Sequence, residues 1–328
     1  METKLLSINE IGQAAEIIRR GGLVAFPTET VYGLGGNAFD PQAAKKIYAA
    51  KGRPSDNPLI VHIADFEEIG LLAAEIPGEA VALADAFWPG PLTIVLPKQD
   101  KVPSATTGGL NTVAIRMPMD RAALQLIKLS GCPIAAPSAN LSGRPSPTLW
   151  QHAEADLNGK IDAVIMGEPC LVGIESTVLD LTDPMKPQVL RPGFITPRDI
   201  EDVLGAEVGI DPAVLSQPGA GLVPKAPGMK YKHYAPAAEM IVYKGRIEKA
   251  AAAIAQERKA LEARGIKVVS LIYDEGKAAA ANLFADLRRA DEEGADVILA
   301  TALPEDGSLN NSVMNRMLKA AGYNVREV

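Results

Sequence analysis

The stretch from Glu207 to Pro236 constrains the fold of this chain more than any other. Pro212, Pro218, Pro224, Pro227 and Pro236 alternate there with glycines, and neither a helical nor a strand period survives across it. Proline lacks a backbone N–H and restricts the residue before it, so no regular ladder can run through such a segment. On both sides, short apolar runs alternate with helix-periodic stretches. A chain of 328 residues can bury a core on each side of the break. The expected organisation is therefore an α/β domain over 1–206, a linker over 207–237 and a small α/β domain over 238–328.

Upstream, Ile11 to Arg20 reads as a helix closed by Gly21-Gly22, and Leu23 to Pro27 as an apolar strand. Helices are expected over Gln42 to Ala50, Glu79 to Phe87 and Arg121 to Leu129. Strands are expected over Leu59 to Ile63, Leu92 to Leu96, Val113 to Met117 and Pro133 to Ala136, then Ala163 to Met166, Ser176 to Asp180 and Gln188 to Arg191. This mixed order predicts a twisted sheet with parallel and antiparallel pairs, flanked by helices. Downstream, strands at Glu239 to Tyr243, Val268 to Tyr273 and Val297 to Ala300 are each followed by a helix. Three such units predict a small Rossmann-like parallel sheet. No G-x-G-x-x-G follows its first strand, so it offers no dinucleotide site. A helix face around Met314, Met317 and Leu318 reads as core.

A net charge of −7 argues against a broad nucleic-acid surface. It leaves a local cluster in the linker, Lys225, Lys230, Lys232 and His233, with Tyr231 and Tyr234 among the basic residues. No apolar run reaches the length of a membrane span, and Met1 to Glu10 has neither the basic flank nor the apolar core of a signal peptide. A cytoplasmic protein is expected. Cys132 and Cys170 fit that setting as small buried residues, not as a disulfide.

The chain offers little to nucleophilic or metal-hydroxide catalysis. It has three histidines, His62, His152 and His233, no G-x-S-x-G elbow and no zinc-like Cys/His spacing. Its chemistry concentrates instead in Lys51-Gly-Arg53-Pro54 and Pro137-Ser138-Ala139-Asn140. An ammonium and a guanidinium two residues apart can hold a polyphosphate, the Lys as a point charge and the Arg as a planar fork. The second cluster adds a hydroxyl and an amide on a turn after the apolar run Cys132 to Ala136. The same two cations would also suit a helix C-terminus, where positive charge complements the dipole.

In order along the chain stand Pro27-Thr28-Glu29-Thr30-Val31-Tyr32-Gly33-Leu34, Lys51-Gly-Arg53-Pro54, Asn57-Pro58-Leu59-Ile60-Val61-His62, Thr112-Val113-Ala114-Ile115-Arg116, Pro137-Ser138-Ala139-Asn140, Ser176-Thr177-Val178 and Arg191-Pro192-Gly193. Together they resemble the YrdC-like domain of the threonylcarbamoyl-AMP synthase family over roughly residues 8 to 200. The linker and the extra C-terminal segment resemble the long, two-domain form of that family. The resemblance implies a nucleotidyltransferase that condenses L-threonine, bicarbonate and ATP, with Mg²⁺, into threonylcarbamoyl-AMP and pyrophosphate. The product would pass to a downstream tRNA threonylcarbamoyl transferase for N6-threonylcarbamoyladenosine formation, with at most a weak contact between this chain and tRNA.

Carried over by motif, Lys51 and Arg53 are expected to offset phosphate charge. Arg53, Asn57, Thr112, Ser138, Asn140, Ser146, Arg191 and Tyr234 are expected around ATP. Thr30, His62, Arg116, Ala136 and Ser176 are expected around threonine, with His62 either lining the pocket or acting as a base. Arg116 could grip the threonine carboxylate bidentately; its plain alternative is a surface ion pair. Tyr234 would reach back from the linker, making it a lid. Two other readings stay open on sequence alone. One is an RNA-binding module that grips phosphates without turnover. The other is carbamoyl transfer from carbamoyl phosphate, although the zinc-finger-like cysteines that accompany that chemistry are missing.

Overall fold

A computed structural model of the chain describes residues 2–215, 224–227, 229 and 233–328. Lys230, Tyr231 and Lys232, named above, lie outside the described residues. In the first unit the elements run β1 (Lys4–Ser7), α1 (Ile11–Arg19), β2 (Val24–Phe26), β3 (Gly33–Asn37), α2 (Pro41–Lys51), β4 (Ile60–His62), α3 (Gly78–Phe87), β5 (Leu92–Pro97) and β6 (Thr112–Arg116). They continue with α4 (Arg121–Ser130), β7 (Ile134–Ala136), α5 (Trp150–Leu157), β8 (Ala163–Met166), β9 (Thr177–Asp180), β10 (Gln188–Arg191), α6 (Pro197–Leu204), β11 (Gly209–Ile210) and α7 (Pro212–Leu215).

Among the described residues these strands form one sheet in the order β1-β8-β2-β3-β7-β4-β6-β5-β9-β10-β11. It is mixed: β4 lies parallel to β6 and antiparallel to β7, and β5 lies parallel to β9 and antiparallel to β6. The register pairs His62 with both Arg116 and Ile134, which brings three separate sequence motifs to one end of the central strands.

Local sequence explains most elements. In α1, Ile11, Ala14, Ala15 and Ile18 recur at helical spacing and are the buried residues. Helix α2 starts at Asp40, whose side chain accepts from Gln42 N, with Pro41 in the first turn, and stops at Gly52, whose φ is 61°. That stop sets Lys51 in the last turn and releases Arg53 towards the centre of the sheet.

Strand β3 was not legible in the sequence, because Gly-Leu-Gly-Gly-Asn lacks the β-branched residues that mark strands. Its glycines serve packing: a Cβ on Gly35 would lie 2.6 Å from Ile134 Cγ2 and 2.8 Å from Phe26 Cε1. Strand β1 and helices α5 and α6 also lie outside the sequence-based reading. Strand β11 falls within the segment expected as linker. Gly209 N donates to Pro187 O and Asp211 N to Val189 O, each at 3.0 Å, so the large sheet runs past residue 206.

The second unit comprises β12 (Glu239–Lys244), α8 (Ile247–Glu262), β13 (Val268–Leu271), α9 (Gly276–Glu292), β14 (Val297–Thr301), α10 (Leu309–Ala320) and β15 (Val325–Glu327). Its strands are all parallel, in the order β13-β14-β12-β15, as the three β–α units predict; β15 adds a fourth strand. Met314 and Met317 are buried in its core. That core does not end at the unit's edge. Val31, Ile174 and the linker's Tyr234 join Leu283, Phe284 and Met317 in a single apolar cluster. Cys132 is half-buried, Cys170 is buried, and both are free thiols. No helix among the described residues is long and apolar enough to cross a membrane.

Candidate active site

The motifs converge on one cleft at the ends of β4, β6 and β7. Eleven of the fourteen expected residues line it: Thr30, Arg53, His62, Arg116, Ala136, Ser138, Asn140, Ser146, Ser176, Arg191 and Tyr234. Lys51, Asn57 and Thr112 do not.

The turn after β2 forms one wall. Thr28 Oγ lies 2.8 Å from Thr30 Oγ and donates to Val31 O, fixing the turn through side-chain to backbone bonds. Arg116, at the end of β6, crosses beneath it. Its Nη2 donates to Glu29 Oε1 at 2.7 Å, Nη1 to Thr30 Oγ at 2.9 Å, and Nε to Gly90 O at 3.3 Å. Only 4% of its side chain is exposed, so the pair with Glu29 is an internal fixture of the cleft and not a surface ion pair. A guanidinium has five N–H donors, and two of them stay free, one on each terminal nitrogen.

His62 packs edge-on against Phe26, with ring centroids 5.9 Å apart. Its Nδ1 is buried without a hydrogen-bond partner. Burial, reinforced by the Arg116 charge, pushes its pKa down to about 3. The ring is therefore neutral at ordinary pH and suited to accepting a hydrogen bond. So weak a base is poorly matched to an ammonium, which disfavours the expected base role.

Lys51 departs most from expectation. Its ammonium donates to Ser138 O at 2.6 Å, to Asn140 O, and to Asn140 Oδ1 at 3.4 Å. These contacts engage its three N–H groups, and the side chain is buried behind the cleft wall. Lys51 thus braces the 138–140 turn from behind instead of facing the cleft. Asn57 is likewise buried, with Oδ1 unpartnered, while its backbone oxygen accepts from Arg53 and from Tyr48 Oη. Thr112 lies at the far end of β6 from Arg116. Four residues of strand span about 13 Å, which keeps it away from the cleft.

Arg53 and Arg191 both line the cleft. Burial lowers each pKa to about 10, which leaves both charged near neutrality. Arg191 Nε donates to Ser176 O at 3.0 Å and Nη2 to Ser176 Oγ at 3.1 Å; Ser176 Oγ also meets Thr93 Oγ at 2.7 Å. The turn beyond Arg191 admits only glycine at position 193, where a Cβ would lie 2.3 Å from Thr177 N.

Four arginines, 53, 116, 144 and 191, line the cleft against a single carboxylate, Glu175. Glu175, Arg144 and His233 were not among the expected site residues. Glu175 lies just before β9 begins, in irregular chain where strand alternation gives no clue to its direction. It accepts from Ser146 Oγ at 2.5 Å and from Arg316 Nε, in α10, at 3.0 Å. A second buried carboxylate, Asp156, binds Arg144 and Leu141 N and is gripped by Arg288 of α9 at 2.9 Å. Among the described residues no three His, Cys, Asp or Glu side chains are grouped to hold a metal ion.

Tyr234 closes the cleft from above. It holds a left-handed φ of 64° and lies 5.1 Å, centroid to centroid, from Phe284 of α9, while Ala235 N donates to Gly143 O at 2.9 Å. With Pro227, His233 and Tyr234 in place, the cleft volume is about 50 Å³. Ligand pockets run to roughly 300–1,000 Å³, so the cleft is tightly closed.

Known proteins carry the same architecture. Residues 16–193 match the family model described as "Telomere recombination" (Sua5_yciO_yrdC), and residues 195–322 match "Threonylcarbamoyl-AMP synthase, C-terminal domain". A threonylcarbamoyl-AMP synthase of Pyrococcus abyssi is 51% identical, covering 96% of this chain and 95% of its own length. One from Bacillus subtilis is 45% identical, over 98% and 96%. The crystal structure of P. abyssi Sua5 complexed with L-threonine superposes with a TM-score of 0.93 at 49% identity, covering 99% of this chain and 100% of that one. E. coli YciO, at a TM-score of 0.52 and 25% identity, covers 58% of this chain and 96% of its own. With both family models matched and both relatives aligned nearly end to end, the chain belongs to the threonylcarbamoyl-AMP synthase family in its long, two-domain form.

Proposed function

We propose that this protein is an L-threonylcarbamoyladenylate synthase, a nucleotidyltransferase acting on L-threonine, bicarbonate and Mg·ATP. The observation that carries the reading is the charge balance of the cleft: four guanidiniums and one carboxylate converge on a closable space. The described site has neither a nucleophilic triad nor a metal cage. Such a site acts by positioning reactants and stabilising anions.

The reaction needs that combination. The threonine amine, once deprotonated, attacks the carbon of bicarbonate, from which water leaves, or of carbon dioxide, with loss of a proton from nitrogen; either route gives an N-carboxylate. A carbamate oxygen then attacks the α-phosphorus, the bond to the β-phosphate oxygen breaks, and pyrophosphate leaves. Each step brings anions together, and cations must offset their repulsion. In our reading the two free N–H groups of Arg116 take the threonine carboxylate. Thr30 and Ser176 present hydroxyls, the backbone at Ala136 approaches the amino acid, and neutral His62 accepts from it. Arg53 and Arg191 face the phosphates, with Ser138, Asn140 and Ser146 along the nucleotide.

Lys51 acts through the turn it braces, which makes it a positioning residue. Asn57 and Thr112 reach the nucleotide only if the cleft rearranges. Tyr234 closes over the bound reactants and shields a hydrolysable mixed anhydride from water. The product goes on to a tRNA threonylcarbamoyl transferase.

The test is pyrophosphate release from Mg·ATP with bicarbonate and L-threonine, L-serine or no amino acid. Release that requires both threonine and bicarbonate supports the reading. Threonine-independent release, or none from a folded protein that binds ATP, overturns it.

A further inference from the structure

Arg316 is the largest side chain that the fold buries almost completely, and it comes from the domain that contributes no residue to the expected site. Its Nε donates to Glu175 Oε2 at 3.0 Å. Its Nη1 donates to Pro192 O and, at 3.0 Å, to Ser312 O; its Nη2 donates to Glu175 O at 3.4 Å. Ser312, one turn earlier on α10, donates to Gly193 O at 2.7 Å. One helix face thus seizes both chain segments that flank Arg191: the residue before Ser176 and the turn after Arg191 itself.

The chemistry of this arrangement lies in what Glu175 would do without Arg316. Glu175 and Arg191 both line the cleft, and Arg191 already bonds both the backbone and the side chain of Ser176, the next residue. A buried carboxylate that loses its cation must find another or take up a proton. Arg191 is the cleft cation tied to the adjoining residue, and the two charges influence each other directly.

We propose that Arg316 is a positioning residue for the synthase reaction: by holding Glu175 in a buried ion pair it keeps Arg191, which donates to Ser176 and Pro227, from turning to that carboxylate and leaves its charge for the nucleotide's phosphates. The C-terminal domain thereby sets the affinity of a cleft that none of its own residues line. The inference rests on the synthase reading above and refines it.

The role predicts a coupling that a simple structural contact would not produce. Replacing Arg316 with Gln leaves Glu175 to capture Arg191, so the KM for ATP should rise by about tenfold or more, the size of a strong coupling between contacting charges. The KM for threonine should move much less, because Arg116 has its own partner in Glu29. Removing the carboxylate removes the competitor. In an Glu175→Gln background the same Arg316→Gln change should alter the ATP KM by less than about threefold. Arg316→Lys keeps the charge but not the fork, and should fall between wild type and Arg316→Gln.

The experiment is this double-mutant cycle in the full-length protein, read as KM for ATP and for threonine, with binding of a non-hydrolysable ATP analogue measured by calorimetry. Thermal melts establish that each variant is folded; if Arg316→Gln is not, Arg316→Lys takes its place in the cycle. Equal effects of the Arg316 change in both backgrounds overturn the proposal and leave Arg316 as an interface residue. Loss confined to kcat, with ATP affinity intact, also overturns it. A wild-type protein that releases no threonine-dependent pyrophosphate fails the synthase reading instead, and the two failures are distinct.

Discussion

At the scale of single residues, the cleft is built from groups whose state is set by burial. Arg116 and Glu29 form an ion pair with 4% and 2% of their side chains exposed, and the two guanidinium N–H groups left over give the arginine its proposed use. Lysine offers one ammonium in place of a planar fork, so it cannot satisfy Glu29, Thr30 and Gly90 and still grip a second carboxylate. Arg116→Lys should therefore raise the threonine KM by about tenfold or more, with little change for ATP, where one lost charge-assisted bond is worth roughly 1.5–3 kcal/mol. An unchanged threonine KM in steady-state kinetics removes Arg116 from the amino-acid pocket.

His62 gives a prediction about pH. Its folded pKa, about 3, lies below the ordinary histidine value of 6.5. As pH falls below 6.5 the unfolded chain takes up a proton that the folded chain refuses, so stability drops as the solution is acidified from 6.5 towards 3. The slope from this one group approaches about 1.4 kcal/mol per pH unit. Urea unfolding of wild type and His62→Gln at pH 7 and pH 5 tests this. The variant should lose less stability over that interval; parallel losses would show that His62 does not carry the titration.

At the scale of elements, close approach of backbones matters more than propensity. The Arg191-Pro192-Gly193 turn lies against the start of β9, where a Cβ on Gly193 would meet Thr177 N at 2.3 Å and Ser176 C at 2.6 Å. Both are backbone atoms and cannot swing aside. Gly193→Ala should cost about 1–3 kcal/mol in chemical denaturation, the usual range for overpacking. It should also displace Ser176 and so weaken threonine binding. Wild-type stability with intact threonine affinity would refute this account of the turn.

The same consideration explains what could be read in advance. Helices α2 and α4 were legible because their aspartate caps and terminal glycines agree, and α1 because of its apolar spacing. Strand β3 was not, because its glycines answer to Phe26 and Ile134 across the fold and not to any local preference. Most of the expected site residues inside compact motifs line the cleft, but Lys51, Asn57 and Thr112, which also stand in such motifs, do not. For Lys51 the sequence gives its place at the end of α2, but only the three-dimensional path of the 138–140 turn supplies the carbonyls that accept from its ammonium.

At the scale of the whole molecule, the two units are joined by ion pairs as well as by apolar packing. Arg288 reaches Asp156, and Arg316 reaches Glu175; both carboxylates belong to the first unit and are buried. Here the first unit carries two carboxylates whose buried partners lie in the second. Breaking one buried pair costs about 3–5 kcal/mol. A fragment ending after α7 should therefore be markedly less stable in thermal melts than the full chain. Asp156→Asn and Glu175→Gln together should recover part of the loss. A fragment as stable as the full chain would mean that the second unit contributes nothing to the first. None of these cross-unit contacts was legible in the sequence, because Asp156 and Arg288 stand 132 residues apart with no motif around either.

The central claim is that the arginine-rich cleft joins threonine, bicarbonate and AMP. The most direct measurement follows ¹³C-labelled bicarbonate by mass spectrometry in a reaction with L-threonine and Mg·ATP. The account predicts a nucleotide product that carries AMP, threonine and one labelled carbon, formed in step with pyrophosphate and absent without threonine. Turnover of ATP with no labelled carbon in any nucleotide product would contradict it.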